Sequence, residues 1–467
     1  MMKKLTTLSL SVGLLTWSWP AGAEQSTQAD LKELAVTVYN DNLGLVSEVR
    51  NLQLGSGMRE LEYADVASSI DATSVSLHSL SAPNDLHILE QNYEYDLLTP
   101  SRILEKFVGQ EVEMHTPSAV TKATLLSTAE GPVYKIGDKI YIYPPGNVVL
   151  PKVPPNLVAH PTLKWLLQND RNEGPQRTEV SYLTSGMSWR ANYVVVASAD
   201  DKRSSLNGWV TLTNQSGANF PNAQLTLVAG DVNRVRSENE YPSAARSYAA
   251  EDRAGGAPQF AERALFEYHS YKLNRLTTLK QNQTKQLSLL SAADIPTEKV
   301  YRYDGGWFPI WYQNSERRSQ KVDVYLEMMN SQKNHMGMPL PKGTIRVYQY
   351  DPDHHLQFIG EDAIDHTPRD EKVRIKMGQA FDLVGERRQM SYHVLGPNLY
   401  ETSYEVSLRN HKNEPVTIYV TEHLGGDWEI TQESHPHRKV DAFRVDFPIR
   451  VAANAEEKLQ FTVRTRY

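Results

Sequence analysis

The sequence predicts a mainly β protein of the sandwich type in more than one domain, with one short helix and one long mobile loop. Three observations carry this expectation. Apolar and polar residues alternate with period two through most of the chain, as in "LAVTVYNDNLGLVSEVRNLQL" and "KVDVYLEMM". Val, Thr, Tyr and Ile crowd these runs, and their branched or flat side chains fit a pleated surface. Asn, Gly, Pro and Asp separate the runs at short intervals, which is the punctuation of sandwiches and barrels. No period of roughly 20–50 residues repeats, which argues against a solenoid or propeller.

The elements follow in order. Lys3 and Lys4, the apolar run "LTTLSLSVGLLTWSWP" and the small residues "AGA" predict a signal peptide over 1–23, cleaved before Glu24. The expected location is therefore exported, periplasmic or extracellular. No later stretch reaches the ~18–20 apolar residues of a spanning helix. The chain has 467 residues and no cysteine, so disulfides, thiol catalysis and zinc–thiolate sites are excluded and folding must rest on core burial. The net charge of −7 is spread along the chain without a basic cluster, which argues against a nucleic-acid partner.

Residues 24–155 are expected to form an N-terminal β domain. It opens on two strands joined by the turn "NDN", and "YEYDLLTPSRILEKFVGQEVEM" has room for one helical turn. The Pro-rich "YPPGNVVLPKVPPNLVAHP" cannot continue a central strand. "HPTLKWLLQND", residues 160–170, sets Leu163, Leu166 and Leu167 on one helical face, so 156–175 is expected to be a linker with a short helix. Residues 176–467 are expected to form a larger C-terminal sandwich module. Within it, 235–264 is rich in Ala, Ser, Gly and charge and poor in β-branched residues, as a mobile loop is.

Five motifs then follow one another: "VYNDNLGLVSEVR", "YLTSGMSWRANYVV", "LNGWVTLTNQSGANFPNAQLTLVAGDVN", "YKLNRLTTLKQNQTKQLSLL" and "FIGEDAIDHTP". In this order they resemble the bacterial domain-of-unknown-function 4139 family, whose domain also occurs in proteins related to mucoidy inhibitor A. The resemblance runs from about residue 34 to the C-terminus. It implies an exported, mostly β protein and carries no catalytic residues with it. The motifs themselves read as core and hairpin: Trp189 and Tyr193 suit a buried strand, and Trp209 starts a strand that ends in "NQSG".

The chemistry-bearing residues concentrate in "DPDHHLQFIGEDAIDHTPRDEKVRI". "KGTIRVYQY" and "LQFIG" read as a hairpin around "DPDHH", because Pro presets φ and Asp bonds its own backbone. The loop from Glu361 to His366 admits two readings. Asp362, Asp365 and His366 supply oxygen and nitrogen ligands for a divalent metal, although neither an EF-hand spacing nor HExxH is present. Alternatively, Arg369, Lys372 and Arg374 neutralise the acids in a salt-bridged turn. No other cofactor is indicated. "DGGWFPIWYQ" groups Trp307 and Trp311, a stacking surface for a ligand if exposed and a corner of the core if buried. The final "LQFTVRTRY" puts Leu459, Phe461, Val463 and Tyr467 on one face of a closing strand.

The expected function is non-catalytic binding or scaffolding in the cell envelope, with an envelope protein or polysaccharide as partner. The competing expectation is an exported metal-dependent hydrolase working through the Glu361–His366 loop.

Overall fold

The computed structural model describes residues 23–467 except 145, 153, 155–156, 172–173, 231, 234–258 and 308–317. Residues 1–22 of the expected signal peptide, most of the expected mobile loop and Trp311 therefore lie outside the described residues. The protein is mainly β. Among the described residues its strands form sheets of four, five, seven and thirteen, with one α-helix, Pro100–Lys106. That helix is the turn expected after "YEYDLL": the Thr99 hydroxyl accepts the Arg102 N–H at 3.3 Å, and Pro100 occupies the first turn, where its missing N–H costs nothing.

The stretch 160–170 is not helical. Thr162–Asn169 is a strand between Gly57–Ala64 and Leu86–Glu94. Leu163, Trp165 and Leu167 all face the core, while Leu166 points the other way. The spacing of Leu163 and Leu167 suits a helix or a strand, and Trp165 between them decides for period two. The expected loop also ends early, since Phe260–Leu265 is a strand paired with Tyr268–Leu279.

The boundary expected at 156–175 does not separate the sheets. In the seven-stranded sheet, Leu31–Tyr39 pairs in parallel with Phe220–Ala229, and Gly44–Gln53 pairs with Pro175–Thr184. Three cores result. The first gathers Val36, Val46, Tyr182, Trp189 and Ile375. The second holds Tyr303, Val406, Phe447 and Phe461. The third is a small cluster around Met114, Leu125 and Tyr134 under the five-stranded sheet. The C-terminal strand Ala455–Arg466 buries Leu459, Phe461 and Val463 in the second core, as its alternation predicts.

Two 25-residue strands tie the first core to the second: Gln283–Trp307 and Lys372–Gly396, each roughly 80 Å of extended chain. The former gives Leu287, Leu289 and Ile295 to the first core and Tyr301 and Tyr303 to the second. One local device recurs in both halves. Asn214 and Asn410 each end a strand, donate from Nδ2 to the carbonyl four residues on (2.9 Å in both) and accept the N–H two residues on at 3.1 and 2.9 Å. Each amide closes a tight turn from inside the protein, satisfying backbone groups that water cannot reach.

Candidate functional site

The hairpin around "DPDHH" forms as its sequence predicts. Asp351 N–H donates to the His355 carbonyl at 3.0 Å, and the Asp351 carboxylate accepts the N–H groups of Asp353 and His355 at 3.0 and 2.8 Å. These bonds hold the Asp351 carboxyl below its ordinary range, the His355 N–H contributing most. The returning strand runs from Leu356 to Ile364, so Glu361 and Asp362 lie within a strand rather than in a loop after it.

Each residue of the acidic stretch has a structural partner. Arg346, across the hairpin, donates to Glu361 at 3.0 Å. Asp362 accepts the Lys376 backbone N–H at 2.7 Å and the Ala363 N–H at 2.9 Å. Asp365 accepts the His366 N–H at 2.8 Å, and the His366 ring Nδ1 accepts the Lys342 N–H at 3.2 Å. Leu340 and Thr367 exchange both backbone bonds, and Arg369 donates to the Gly337 carbonyl at 2.6 Å. Buried Asn330 completes the arrangement, donating to the carbonyls of Met338 and Pro368 and accepting the Gly337 N–H. The stretch is a clasp between residues 330–342 and 365–371.

The cations expected to neutralise these acids go elsewhere. Lys372 and Arg374 both reach the buried Glu327, each at 2.6 Å. Burial pushes the Glu327 carboxyl up, but the bonds and charges of these two cations outweigh it and leave the group below its ordinary value. Among the described residues no three His, Asp or Glu side chains gather as metal ligands. Asp362, Asp365 and His366 are neighbours in sequence whose side chains serve three different backbone positions.

Trp307 ends the long Gln283–Trp307 strand, its backbone in register with His423. Beside it runs a polar strip that sequence reasoning missed. Asp304 lies 3.1 Å from His423, and Arg302 holds Asp446 at 2.9 Å and the Thr421 hydroxyl at 2.7 Å. On the opposite face of the same strands, Glu422 is fully buried against Arg387, whose guanidinium lies 3.9 Å from the Tyr404 ring centroid. A Cβ at Gly305 would fall 2.4 Å from the Glu422 carboxylate, so any larger residue there would have to displace the buried ion pair. The first core holds a comparable cluster. Arg50 meets Glu48 at 2.6 Å and lies 3.6 Å from the Tyr63 ring centroid, and the hydroxyls of Tyr63 and Tyr182 donate to Glu48. Burial, with the Glu48 charge adding to it, pushes both tyrosine hydroxyls well above their ordinary value. These groups satisfy one another completely enough to sit inside a core, which is a fastening role.

Comparison with protein-family models matches residues 178–467, more than half of the chain, to a domain of unknown function, DUF4139. The first of the five sequence motifs, on the Leu31–Tyr39 and Gly44–Gln53 hairpin, lies outside the matched span. No curated protein matches the chain.

Proposed function

Because the chain belongs to the DUF4139 family, which assigns no activity, we propose from its residues that it is an exported, non-catalytic binding or scaffolding protein of the cell envelope. One observation supports this above the hydrolase alternative: the Asp362 and Asp365 carboxylates and the His366 Nδ1 each accept a different backbone N–H rather than converging on a common point. Export rests on the Lys3–Lys4 start, the apolar run and the "AGA" cleavage pattern, and the absence of cysteine is compatible with an oxidising compartment. No helix among the described residues is long and apolar enough to cross a membrane.

Cell fractionation with mass analysis of the full-length product tests the proposal. Recovery outside the cytoplasm, with a mature N-terminus at Glu24 and co-sedimentation with envelope material, is the expected result. Recovery from the cytoplasm with residues 1–23 intact overturns it.

A further inference from the structure

A lysine drawn partly out of water needs a compensating partner, and Lys164 has two. Half-buried, it holds Glu62 at 2.8 Å and Glu94 at 3.1 Å, and the bond to Glu62 does most to lift its ammonium above the ordinary range. Lys285 is half-buried as well, but its Nζ donates to the Thr277 hydroxyl at 3.1 Å rather than to a carboxylate. Burial pushes its ammonium below the ordinary value, and the charges of Arg275 and Lys280 push in the same direction.

The topology brings these three cations to one open flank. Among the described residues, Tyr268–Leu279 pairs with Phe260–Leu265 only as far as Leu273, and Gln283–Trp307 meets Arg318–Met329 only from Thr297 on. Outside those spans each strand presents an edge, one in each of two sheets, and the bond from Lys285 to Thr277 bridges the edges. Lys280 begins the turn that joins them. Arg275 is exposed, and its printed partners are neutral: the Gln259 amide oxygen and the Leu276 carbonyl. Acids are missing from the whole flank. In a chain where Asp and Glu outnumber Lys and Arg by 56 to 49, residues 268–293 hold Lys272, Arg275, Lys280 and Lys285 and no Asp or Glu. The adjoining strands Phe220–Ala229 and Arg203–Asn214 hold none either.

Three cations gathered without a carboxylate repel one another, and the fold gains nothing from the arrangement by itself. We propose that Arg275, Lys280 and Lys285 form a binding point for a phosphate group. The number of cations selects the ligand. Carboxylates in this protein are met by one cation or by two: Glu361 by Arg346, Asp446 by Arg302, and Glu327 by Lys372 and Arg374. A third cation calls for more than one negative charge, and a phosphate monoester supplies about −1.5 to −2 together with three strong acceptor oxygens. A nucleic acid would need a longer track of cations than this single point. Inorganic phosphate and the monoester headgroup of a lipid present the same chemistry here, so the site does not depend on the compartment assigned above.

Calorimetric titration of the purified chain with inorganic phosphate, against sodium chloride at matched ionic strength, tests this. Saturable binding is expected, weakened at least tenfold in Lys285→Gln and in Arg275→Gln. It should be unchanged in Lys139→Gln, which removes an exposed cation from another sheet. Because each site substitution relieves repulsion, both variants should melt no lower than the parent in chloride, which separates lost binding from lost folding. Sedimentation with phosphatidylcholine vesicles carrying phosphatidic acid distinguishes the sources. Sedimentation that Lys285→Gln abolishes places the phosphate on a lipid; binding of inorganic phosphate alone places it on a soluble molecule, and either result supports the site. No saturable binding of phosphate beyond chloride, or binding indifferent to both site substitutions, overturns the proposal and leaves the envelope role standing.

Discussion

The Asp362 carboxylate accepts the backbone N–H of Lys376 at 2.7 Å, and through this bond two strands with five others between them in the sheet order are brought side by side. Their backbones are close enough that a Cβ on Gly360 would lie 2.8 Å from the Met377 carbonyl oxygen. A residue whose charge and neighbours suggest metal ligation therefore curls a sheet back on itself.

That role makes Asp362→Ala a stability variant. Losing the acceptor hands the exposed Lys376 amide to water, at a cost of about 0.5–1.5 kcal/mol. The Lys376 amide should then exchange with deuterium faster than in the parent, as read by hydrogen-exchange mass spectrometry. Asp362→Asn, which retains a side-chain oxygen, should lose less. Equal exchange in all three proteins contradicts the assignment.

Arg387 and Glu422 form an ion pair inside the second core with side chains 10% and 0% exposed. Glu422→Gln leaves a buried guanidinium without its counter-charge and should cost about 3–5 kcal/mol in urea unfolding. Replacing both partners with apolar residues of similar volume should recover most of the loss, because the desolvation penalty goes with the charges. A double variant as unstable as the single one would mean that packing, not charge, dominates.

Glu327 sets a pH dependence. Its carboxyl titrates lower in the folded chain than its ordinary value, so the unfolded state binds its proton first as pH falls. The stabilisation is present above the unfolded carboxylate value and is lost as pH drops through the folded one. Unfolding midpoints of parent and Glu327→Gln should differ by a constant amount near neutral pH and converge in acid. A gap that widens in acid has the opposite sign and contradicts the pairing with Lys372 and Arg374.

Alternation made much of this fold legible. The turn at "DPDHH", the closing strand and the Pro100 helix all follow from local chemistry, because each is decided by residues within a few positions of one another. The buried charges leave a trace as well. In Val46, Glu48, Arg50, Leu52 and in Ile418, Val420, Glu422 a charge occupies an inward position of a period-two run. Their partners Tyr63, Tyr182 and Arg387 were not legible, since they come from other strands. Trp209 shows the same limit from the other side. Its motif reads as core and hairpin, yet its own side chain faces outward because Leu206, Val210 and Leu212 take the inward positions of its strand. The acidic stretch leaves two readings open in the sequence because proximity along the chain does not fix where side chains converge: Asp362 lies within the strand Leu356–Ile364, while Asp365 and His366 follow its end.

The central claim, that Glu361–His366 builds the fold rather than holding an ion, is tested most directly by thermal melts of the mature protein. They would be recorded with EDTA and then with calcium, zinc or manganese added back. A ligand that binds only the native state raises the melting temperature by mass action. The same melting temperature is expected in every condition, and a lower but equally metal-independent one for Asp362→Ala/Asp365→Ala. A rise with one metal that this double variant abolishes would contradict it and make the stretch a metal site.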